Sequence, residues 1–395
     1  MDINALKSAA DNGDAEALCL LGRIYTGLIP SDGGTEKTDY EEGVRLLKKS
    51  ADAGNTDAAY CLAMCYLHGL GVEEDADCAA ELFLKAAEQG QAAAQYELGQ
   101  LYAEGCGVET DGEEAFKWFK MSADQGFAKG QLGVSQCYSE GIGVEEDDAE
   151  ALKWLRAAAD QGLADAQFNM GWHYDYGVGV ERDMSEALKW YRLAAAQKHG
   201  KAMCYIGYSY QYGEGVKKDL QEAVRWYKAS MEQNYHQAFC NMGYCYQYAE
   251  GVPEDMEKAI LMYKTAARLG NSDAMYNLGL CYTYGDGVDE DEDEAAKYFM
   301  MGAEEGHMRA QYQLGLCYAT GDGIEEDEDE AFKYFSLSAE QGYEDAQYAL
   351  GMCYEDGLGV GEDLQSAAHW YLAAARQGHE DAAKKIKKHK FKKFL

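Results

Sequence analysis

The sequence predicts an all-α solenoid of about ten helix-turn-helix repeats, each 36 residues long. Three residue types recur at this step: tyrosine after Tyr66, alanine from Ala79 and aspartate from Asp39. A fixed period of this length is typical of stacked repeats. Two prolines and 44 glycines in 395 residues also indicate helices separated by glycine turns. The tyrosines are Tyr25, Tyr66, Tyr102, Tyr138, Tyr174, Tyr210, Tyr246, Tyr282, Tyr318 and Tyr354.

The first helix of a repeat is predicted over residues 94–104 in the third repeat. Ala94, Leu98 and Leu101 fall on one stripe of a 3.6-residue period, which marks a buried face. Gly99 has no side chain, so we expect a neighbouring helix to approach closely there. That contact must outweigh about 1 kcal/mol of lost helix propensity. Gly105 is expected to end the helix in a left-handed conformation.

The second helix is predicted to begin after Asp111, whose side chain would cap it. Glu114 lies three residues later and would complete a reciprocal capping box. Gly126 is expected to stop the helix. Ala115, Trp118, Phe119, Ser122 and Ala123 share its buried face. Seven of the ten recurring aspartates have glutamate at the box position: Glu42, Glu114, Glu150, Glu186, Glu222, Glu294 and Glu330.

A lone helix pair cannot bury both its faces, so the repeats must stack on their neighbours. We therefore divide the chain into an unpaired helix at 1–13, ten repeats at 14–378 and a basic half-repeat at 379–395. The least regular repeats are the fourth, fifth and sixth. In the fourth, Ser135 replaces the glycine of the first helix, and in the next two Lys198 and Asn234 replace the glycine stop.

The charge balance excludes several classes of function. Lys and Arg total 35 against 70 Asp and Glu, a formal charge of −35 that would repel nucleic acid from the body of the chain. No apolar run reaches the roughly 18 residues of a membrane span. Residues 1–12 show no secretory signal. A hydrophobic content of 47% suffices for a packed core.

At this point the residues resemble a known family. The pattern Leu98-Gly99-x-x-Tyr102, with a tryptophan-containing second helix, is similar to tetratricopeptide repeats. The 36-residue period and the Gly-x-Gly-Val loop from Gly141 to Asp147 look like the Sel-one-like repeat (SLR) family. This resemblance implies a right-handed superhelix whose concave side is lined by the first helices. It also implies a scaffold or adaptor, because members generally bind other proteins.

One branch of that family is secreted, disulfide-bonded and linked to penicillin binding, and this chain departs from it. Its 12 cysteines mostly share two first-helix positions, and only Cys78 lies on a second helix. Equivalent positions in adjacent repeats are expected to lie beyond disulfide distance. We interpret the cysteines as reduced thiols packed as small apolar groups, in a cytoplasmic protein.

The face of the first helices opposite the core changes character in the middle of the chain. It is mixed in the first four repeats, as with Glu97, Gln100 and Glu104, and then becomes rich in tyrosine. Tyr and Trp are favoured interface anchors, and Asn can pair with an extended peptide backbone. We expect a partner-binding groove here, although these rings could instead only pack on one another. The predicted residues are Asn169, Trp172, Tyr176, Tyr205, Tyr208, Tyr212, Asn241, Tyr244, Tyr248, Asn277, Leu280 and Tyr284.

Other motifs indicate no catalytic, metal or cofactor site. The carboxylate runs at 289–294 and 325–330 lack the glycine and distant glutamate of a calcium loop, so we expect solvated helix starts or docking of a basic partner. The Gly-x-Gly turn joins two helices, which argues against a phosphate loop. The eight histidines show no shared register and no ligand spacing, and no nucleophile arrangement is visible.

We therefore expect a protein-interaction scaffold and not an enzyme, with a protein or peptide partner, possibly basic. The alternatives are an acidic electrostatic adaptor for a basic partner and an enzyme of the cysteine-rich, β-lactamase-like kind. Residues 384–395 carry seven lysines and could contact acidic lipid, nucleic acid or the acidic body itself.

Overall fold

A computed structural model describes residues 3–29, 38–387 and 391. These residues form 22 α-helices and no strand, as the sequence predicts. The chain divides into two compact units, Met1–Gln197 and Lys198–Leu395. None of the described helices is long and apolar enough to cross a membrane. The final lysine-rich segment lies mostly outside the described residues, at 388–390 and 392–395.

The first unit contains eleven helices in its described residues. They are α1 (Ile3–Asp11), α2 (Ala15–Tyr25), α3 (Tyr40–Asp52), α4 (Thr56–Leu67), α5 (Ala76–Glu88), α6 (Ala92–Glu104), α7 (Gly112–Asp124), α8 (Ala128–Glu140), α9 (Asp148–Asp160), α10 (Ala164–Tyr176) and α11 (Met184–Ala196).

The second unit also contains eleven helices in the part of it that is described. They are α12 (Gly200–Tyr212), α13 (Leu220–Met231), α14 (His236–Gln247), α15 (Met256–Arg268), α16 (Ser272–Tyr284), α17 (Glu292–Glu304), α18 (Met308–Thr320), α19 (Glu328–Glu340), α20 (Glu344–Asp356), α21 (Leu364–Arg376) and α22 (Glu380–Ile386).

Helices pack in antiparallel pairs, and the pairs stack within each unit. Each even-numbered helix from α2 to α20 is the first helix of a pair and packs on the odd-numbered second helix that follows it. Within a unit, each second helix then packs on the first helix of the next pair, as α15 does on α16. First helices of successive pairs also touch, as α12 and α14 do. The all-α solenoid architecture predicted from the period is confirmed.

The glycine of the first helix makes room for an aromatic ring of the second helix. A Cβ added at Gly243 would lie 2.6 Å from the Tyr263 ring, and one at Gly99 would lie 2.6 Å from the Phe119 ring. The predicted close approach is thus a contact with a ring from the same repeat. Where Ser135 replaces the glycine, the residue 20 positions later is the smaller Leu155, and Ser135 Oγ donates to the carbonyl of Ala151 at 2.8 Å.

The turn between the two helices is fixed by a backbone hydrogen bond and by a close contact. The N–H of Asp147 donates to the carbonyl of Tyr138 at 3.0 Å, which directly links the two recurring residue types. The second glycine of the turn, Gly143, contacts the preceding repeat, since a Cβ there would lie 1.9 Å from the carbonyl oxygen of Gly112. This glycine therefore serves the stacking of repeats as well as the turn.

The aspartates cap the second helices as predicted, but the prediction of a reciprocal capping box is wrong. Asp111 accepts hydrogen bonds from the backbone N–H groups of Glu113 and Glu114 at 3.0 and 3.1 Å. Its own N–H is already used by the carbonyl of Tyr102. The Glu114 carboxylate turns instead to Lys117 Nζ at 2.8 Å. The backbone carbonyl of Tyr102 thus replaces the Glu114 carboxylate as the acceptor of the Asp111 N–H.

The two residues that replace the glycine stop adopt the same left-handed backbone as glycine. Gly126 has φ +81°, whereas Lys198 has φ +64° and Asn234 has φ +57°. Ala249 is similarly placed at φ +57°, at the end of α14, where other repeats have glycine. The helix stops are therefore kept, with a backbone strain that glycine would avoid.

Candidate partner-binding cavity

The twelve residues predicted to bind a partner lie on four first helices in two compact units. Asn169, Trp172 and Tyr176 lie on α10 in Met1–Gln197, where the rings of Trp172 and Tyr176 stand 5.1 Å apart. The other nine lie on α12, α14 and α16 in Lys198–Leu395, with Tyr248 at the C-cap of α14. The second unit therefore holds most of the predicted residues in one body.

An open cavity of about 740 Å³ runs along the first helices of the second unit. Five of the nine predicted residues line it, and the other lining residues come from the same helices or from the starts of α18 and α20. The predicted members are Tyr208, Tyr212, Asn241, Tyr244 and Asn277. The remaining lining residues are Gln211, Gln237, Cys240, Asp273, Tyr276, Gly306, His307, Met308, Arg309, Gln341, Gly342, Tyr343 and Glu344.

Four of the predicted residues in this unit, Tyr205, Tyr248, Leu280 and Tyr284, are not among those that line the cavity. The predicted stripe follows one face along each first helix, whereas the cavity crosses from the last turns of α12 to the starts of α16, α18 and α20. Most of the missed residues lie at those starts. The sequence could have identified them only through the polar and aromatic residues at the start of each first helix.

Two tyrosine pairs stand at one end of the cavity, and three of their four members line it. The Tyr208 and Tyr212 rings stand 4.4 Å apart on α12, and the Tyr244 and Tyr248 rings stand 4.5 Å apart at the end of α14. Each pair has the i, i+4 spacing that brings side chains together on one helix face. The side chains remain 46%, 50%, 38% and 56% exposed in that order, so much of each ring is accessible. These rings can therefore contact a partner as they stand.

The two cavity asparagines are held by cysteine sulfurs of the preceding first helix. Asn241 Nδ2 donates to Cys204 Sγ at 3.4 Å, and Asn277 Nδ2 donates to Cys240 Sγ at 3.8 Å. Burial raises the pKa of Cys204 to about 12, so the sulfur is a neutral thiol. Because a thiol is a weak acceptor, each Nδ2 group is oriented without being strongly engaged, while Asn241 Oδ1 accepts from Gln237 Nε2 at 3.2 Å.

A carboxylate is held by a hydrogen bond beside the tyrosine end of the cavity. Glu250 Oε2 accepts from Gln211 Nε2 at 2.7 Å, and Gln211 Oε1 accepts from the buried hydroxyl of Tyr227 at 2.5 Å. Burial is the main cause that raises the pKa of Tyr212 and Tyr244, and the Glu250 charge adds to it. Glu250 therefore contributes negative potential behind the exposed rings.

A histidine and an aspartate form the middle of the cavity wall. His307 Nδ1 accepts from the backbone N–H of Ala310 at 3.1 Å, while His307 Nε2 lies 3.2 Å from Asp273 Oδ1. The hydrogen bond from His307 is the main cause that holds the pKa of Asp273 below its usual range. Tyr276 stacks on the imidazole with ring centroids 5.1 Å apart.

The prediction that the histidines share no register is wrong. His199, His307 and His379 all occupy the residue before a first helix, and the positions differ by multiples of 36. Each imidazole accepts a hydrogen bond from the third backbone N–H of that helix, as His307 does. Their shared role is to cap the first helices of their repeats.

At the end of the cavity away from the tyrosine pairs lies a side chain with a permanent positive charge. Arg309, the second residue of α18, is exposed and is the only lysine or arginine among the lining residues. Glu344 opens α20 on the same side. Among the described residues, no group of three or more His, Cys, Asp or Glu side chains is placed to hold a metal ion. The cavity offers rings, carboxamides and fixed charges, which suit binding.

Comparison with known families identifies the repeat. The Sel1 repeat model matches ten consecutive segments: 15–55, 56–91, 92–127, 128–163, 164–199, 200–235, 236–271, 272–307, 309–343 and 344–379. Among proteins with curated descriptions, none matches the sequence.

Solved structures with the same repeat are similar over long stretches. A protective antigen of uropathogenic Escherichia coli strains, which displays an SLR fold, is 29% identical, with a TM-score of 0.59, over 100% of this chain and 91% of that one. A Sel1 repeat protein from Oxalobacter formigenes is 35% identical, with a TM-score of 0.58, over 63% of this chain and 99% of that one.

Proposed function

Because this chain belongs to the Sel1 repeat family, whose members are generally non-catalytic protein-interaction scaffolds, we propose that it binds an extended segment of a protein partner. The segment occupies the cavity of Lys198–Leu395. The observation that carries this proposal is the accessibility of Tyr208, Tyr212 and Tyr244 beside the two oriented carboxamides. Tyrosine combines a large contact area with little rotamer freedom to lose on binding.

The asparagines favour an extended backbone over a helical one. Asn241 and Asn277 occupy the same position in consecutive repeats, and each donates only to a weak sulfur acceptor. A peptide carbonyl is a stronger acceptor than a thiol, so the exchange is favourable. An extended segment has free backbone groups to offer, whereas a helix has used most of its own.

The experiment is selection of random dodecapeptides, displayed on phage, against the full chain. A Tyr208→Ala/Tyr212→Ala/Tyr244→Ala variant should lose enrichment, with affinity for selected peptides reduced at least tenfold. A control variant replaces three side chains of similar exposure that do not line the cavity, Tyr40, Met121 and Leu193, by alanine. The proposal fails if the tyrosine triple variant binds the selected peptides as the wild type does, or if no peptide is enriched.

The second candidate is an electrostatic adaptor, which the charge of −35 favours. There the acidic turns recruit a basic partner and the tyrosines take no part. Raising the salt concentration from 50 to 500 mM separates the two, because exposed charges are screened over a few ångströms at high salt. Binding that depends on the tyrosine triple and survives high salt supports the cavity. Binding that is lost in salt and ignores the triple supports the adaptor.

A further inference from the structure

We propose that the segment bound in this cavity presents a basic side chain, arginine or lysine, to the tyrosine pairs Tyr208–Tyr212 and Tyr244–Tyr248. This inference rests on the proposed function and names the chemistry of the ligand. It also gives the segment a direction, because the basic side chain lies at the end of the cavity away from Arg309.

The ring faces are the first reason. The face of a tyrosine ring carries negative potential and attracts a cation placed over it. The second unit already uses this contact on its own surface, where Lys258 lies 5.5 Å from the Tyr246 ring centroid and Lys333 lies 4.9 Å from that of Tyr334. No lysine or arginine of the described residues lies over Tyr212 or Tyr248.

The fixed charges around the cavity are the second reason. Glu250 is held by Gln211, a residue that lines the tyrosine end, so a carboxylate lies within reach of a cation seated on the rings. Asp273 lines the middle of the cavity and is kept ionised by His307. Beyond these residues, the net charge of −35 attracts a basic segment over longer distances.

Arg309 is the third reason, because it breaks the symmetry of the cavity. It lies on α18, three first helices along from α12, and it carries no ion pair among the described residues. A basic side chain seated near Arg309 would be repelled, whereas one seated on the tyrosine pairs would not. The segment is therefore read in one direction, with its cation at α12 and α14.

The test uses the same dodecapeptide library on the full chain, and then on two matched double variants. Peptides enriched by the wild type should share arginine or lysine at one position. Replacing that residue by norleucine, which keeps the aliphatic stem, should weaken binding to the wild type about tenfold. On the Tyr212→Leu/Tyr244→Leu variant the same replacement should change the affinity less than twofold. The Tyr212→Phe/Tyr244→Phe variant keeps the ring faces and should bind as the wild type does.

An Arg309→Glu variant tests the direction. Its enriched peptides should acquire a second basic residue, displaced along the segment from the first. If its peptides match those of the wild type, the inferred direction is wrong. If wild-type peptides share a neutral or acidic residue, or tolerate norleucine, the inferred cation is wrong while the proposed function stands. If no peptide is enriched over the tyrosine triple variant, the proposed function itself fails.

Discussion

At the scale of single residues, the repeat is held together by pairs that must match in size. Gly243 faces the ring of Tyr263, and the same pairing of glycine with a ring recurs between Gly279 and Phe299. The fourth repeat changes both members, to Ser135 and Leu155. The match reflects close packing, since an interior with a native density has no room for an unmatched methyl group.

We predict that Gly243→Ala destabilises the protein by about 2 kcal/mol, because the added methyl overpacks the Tyr263 ring. This loss exceeds the gain of about 1 kcal/mol in helix propensity. Urea unfolding measures it. Gly361→Ala is the matched control, since a Cβ there meets nothing within 4 Å and the backbone is not left-handed. Equal stability of the two variants would contradict the packing role.

Ala249 is the opposite case, a position where substitution by glycine should increase the stability of the protein. Its φ of +57° strains an L-residue, so Ala249→Gly should stabilise the protein by about 1 kcal/mol in urea unfolding. Gly321 has φ +79°, and the nearest atom to an added Cβ is 3.8 Å away. Gly321→Ala should therefore lose a similar amount through backbone strain alone. A destabilising Ala249→Gly would show that the methyl group packs usefully.

The cysteines should react slowly in the folded protein. Ten of the twelve are buried, and only Cys78 and Cys106 are partly exposed. Burial raises the pKa of Cys65 and of Cys281 to about 11, which lowers the thiolate fraction at pH 8 roughly a hundredfold from that of an ordinary thiol. An aromatic disulfide reagent should label at most two thiols quickly and all twelve in denaturant. Rapid labelling of more than two would contradict this packing.

At the scale of helices, the start of each second helix is fixed by aspartate and not by a capping box. Asp291 accepts from the backbone N–H of Glu294 at 3.0 Å, while the Glu294 carboxylate contacts Lys297. Asp291 is exposed and Glu294 is half-buried, and their roles differ. The aspartate satisfies a backbone donor that otherwise has no partner at the helix start, whereas the glutamate makes a surface ion pair.

We accordingly predict that Asp291→Ala costs about 1 kcal/mol of stability, the usual value for a lost cap. Glu294→Ala should leave the urea midpoint nearly unchanged, because only a surface ion pair is lost. If both substitutions destabilise the protein equally, the reciprocal capping box would be restored as the better interpretation.

At the scale of the whole molecule, buried acidic groups predict sensitivity to alkali. Burial raises the pKa of Cys204 to about 12 from 9.0 and raises that of Tyr227 and Tyr263 above 10.0. The unfolded chain therefore loses these protons first. The stability they contribute is complete below about pH 9 and falls as the pH rises through 9 to 12.

The measurement is the urea midpoint between pH 7 and 11. The free energy of unfolding derived from it should fall from about pH 9, by up to about 1.4 kcal/mol per pH unit for each group that ionises only in the unfolded chain. Repeating the series in 1 M salt screens the repulsion of the net charge. A pH dependence abolished by salt would assign the loss to surface charge instead.

The 36-residue period was enough to predict the fold, but it did not predict all the residues in and around the cavity. The 36-residue step predicted the helix pairs, and the aspartates predicted where second helices begin. Glu250, by contrast, is recognisable only once its contact with Gln211 is seen, 39 residues away. Side chains such as Arg309 lie in separate repeats, and only stacking brings their helix starts to one cavity.

The contact of Gly243 with Tyr263 has a consequence for how such chains change over evolutionary time. Both partners lie within one 36-residue segment, so duplicating or deleting that segment carries the matched pair along intact. The contact across the boundary, at Gly251, is made to a carbonyl oxygen of the main chain, and every segment supplies one. Unequal recombination can therefore lengthen or shorten the array by whole modules without leaving a mismatched join.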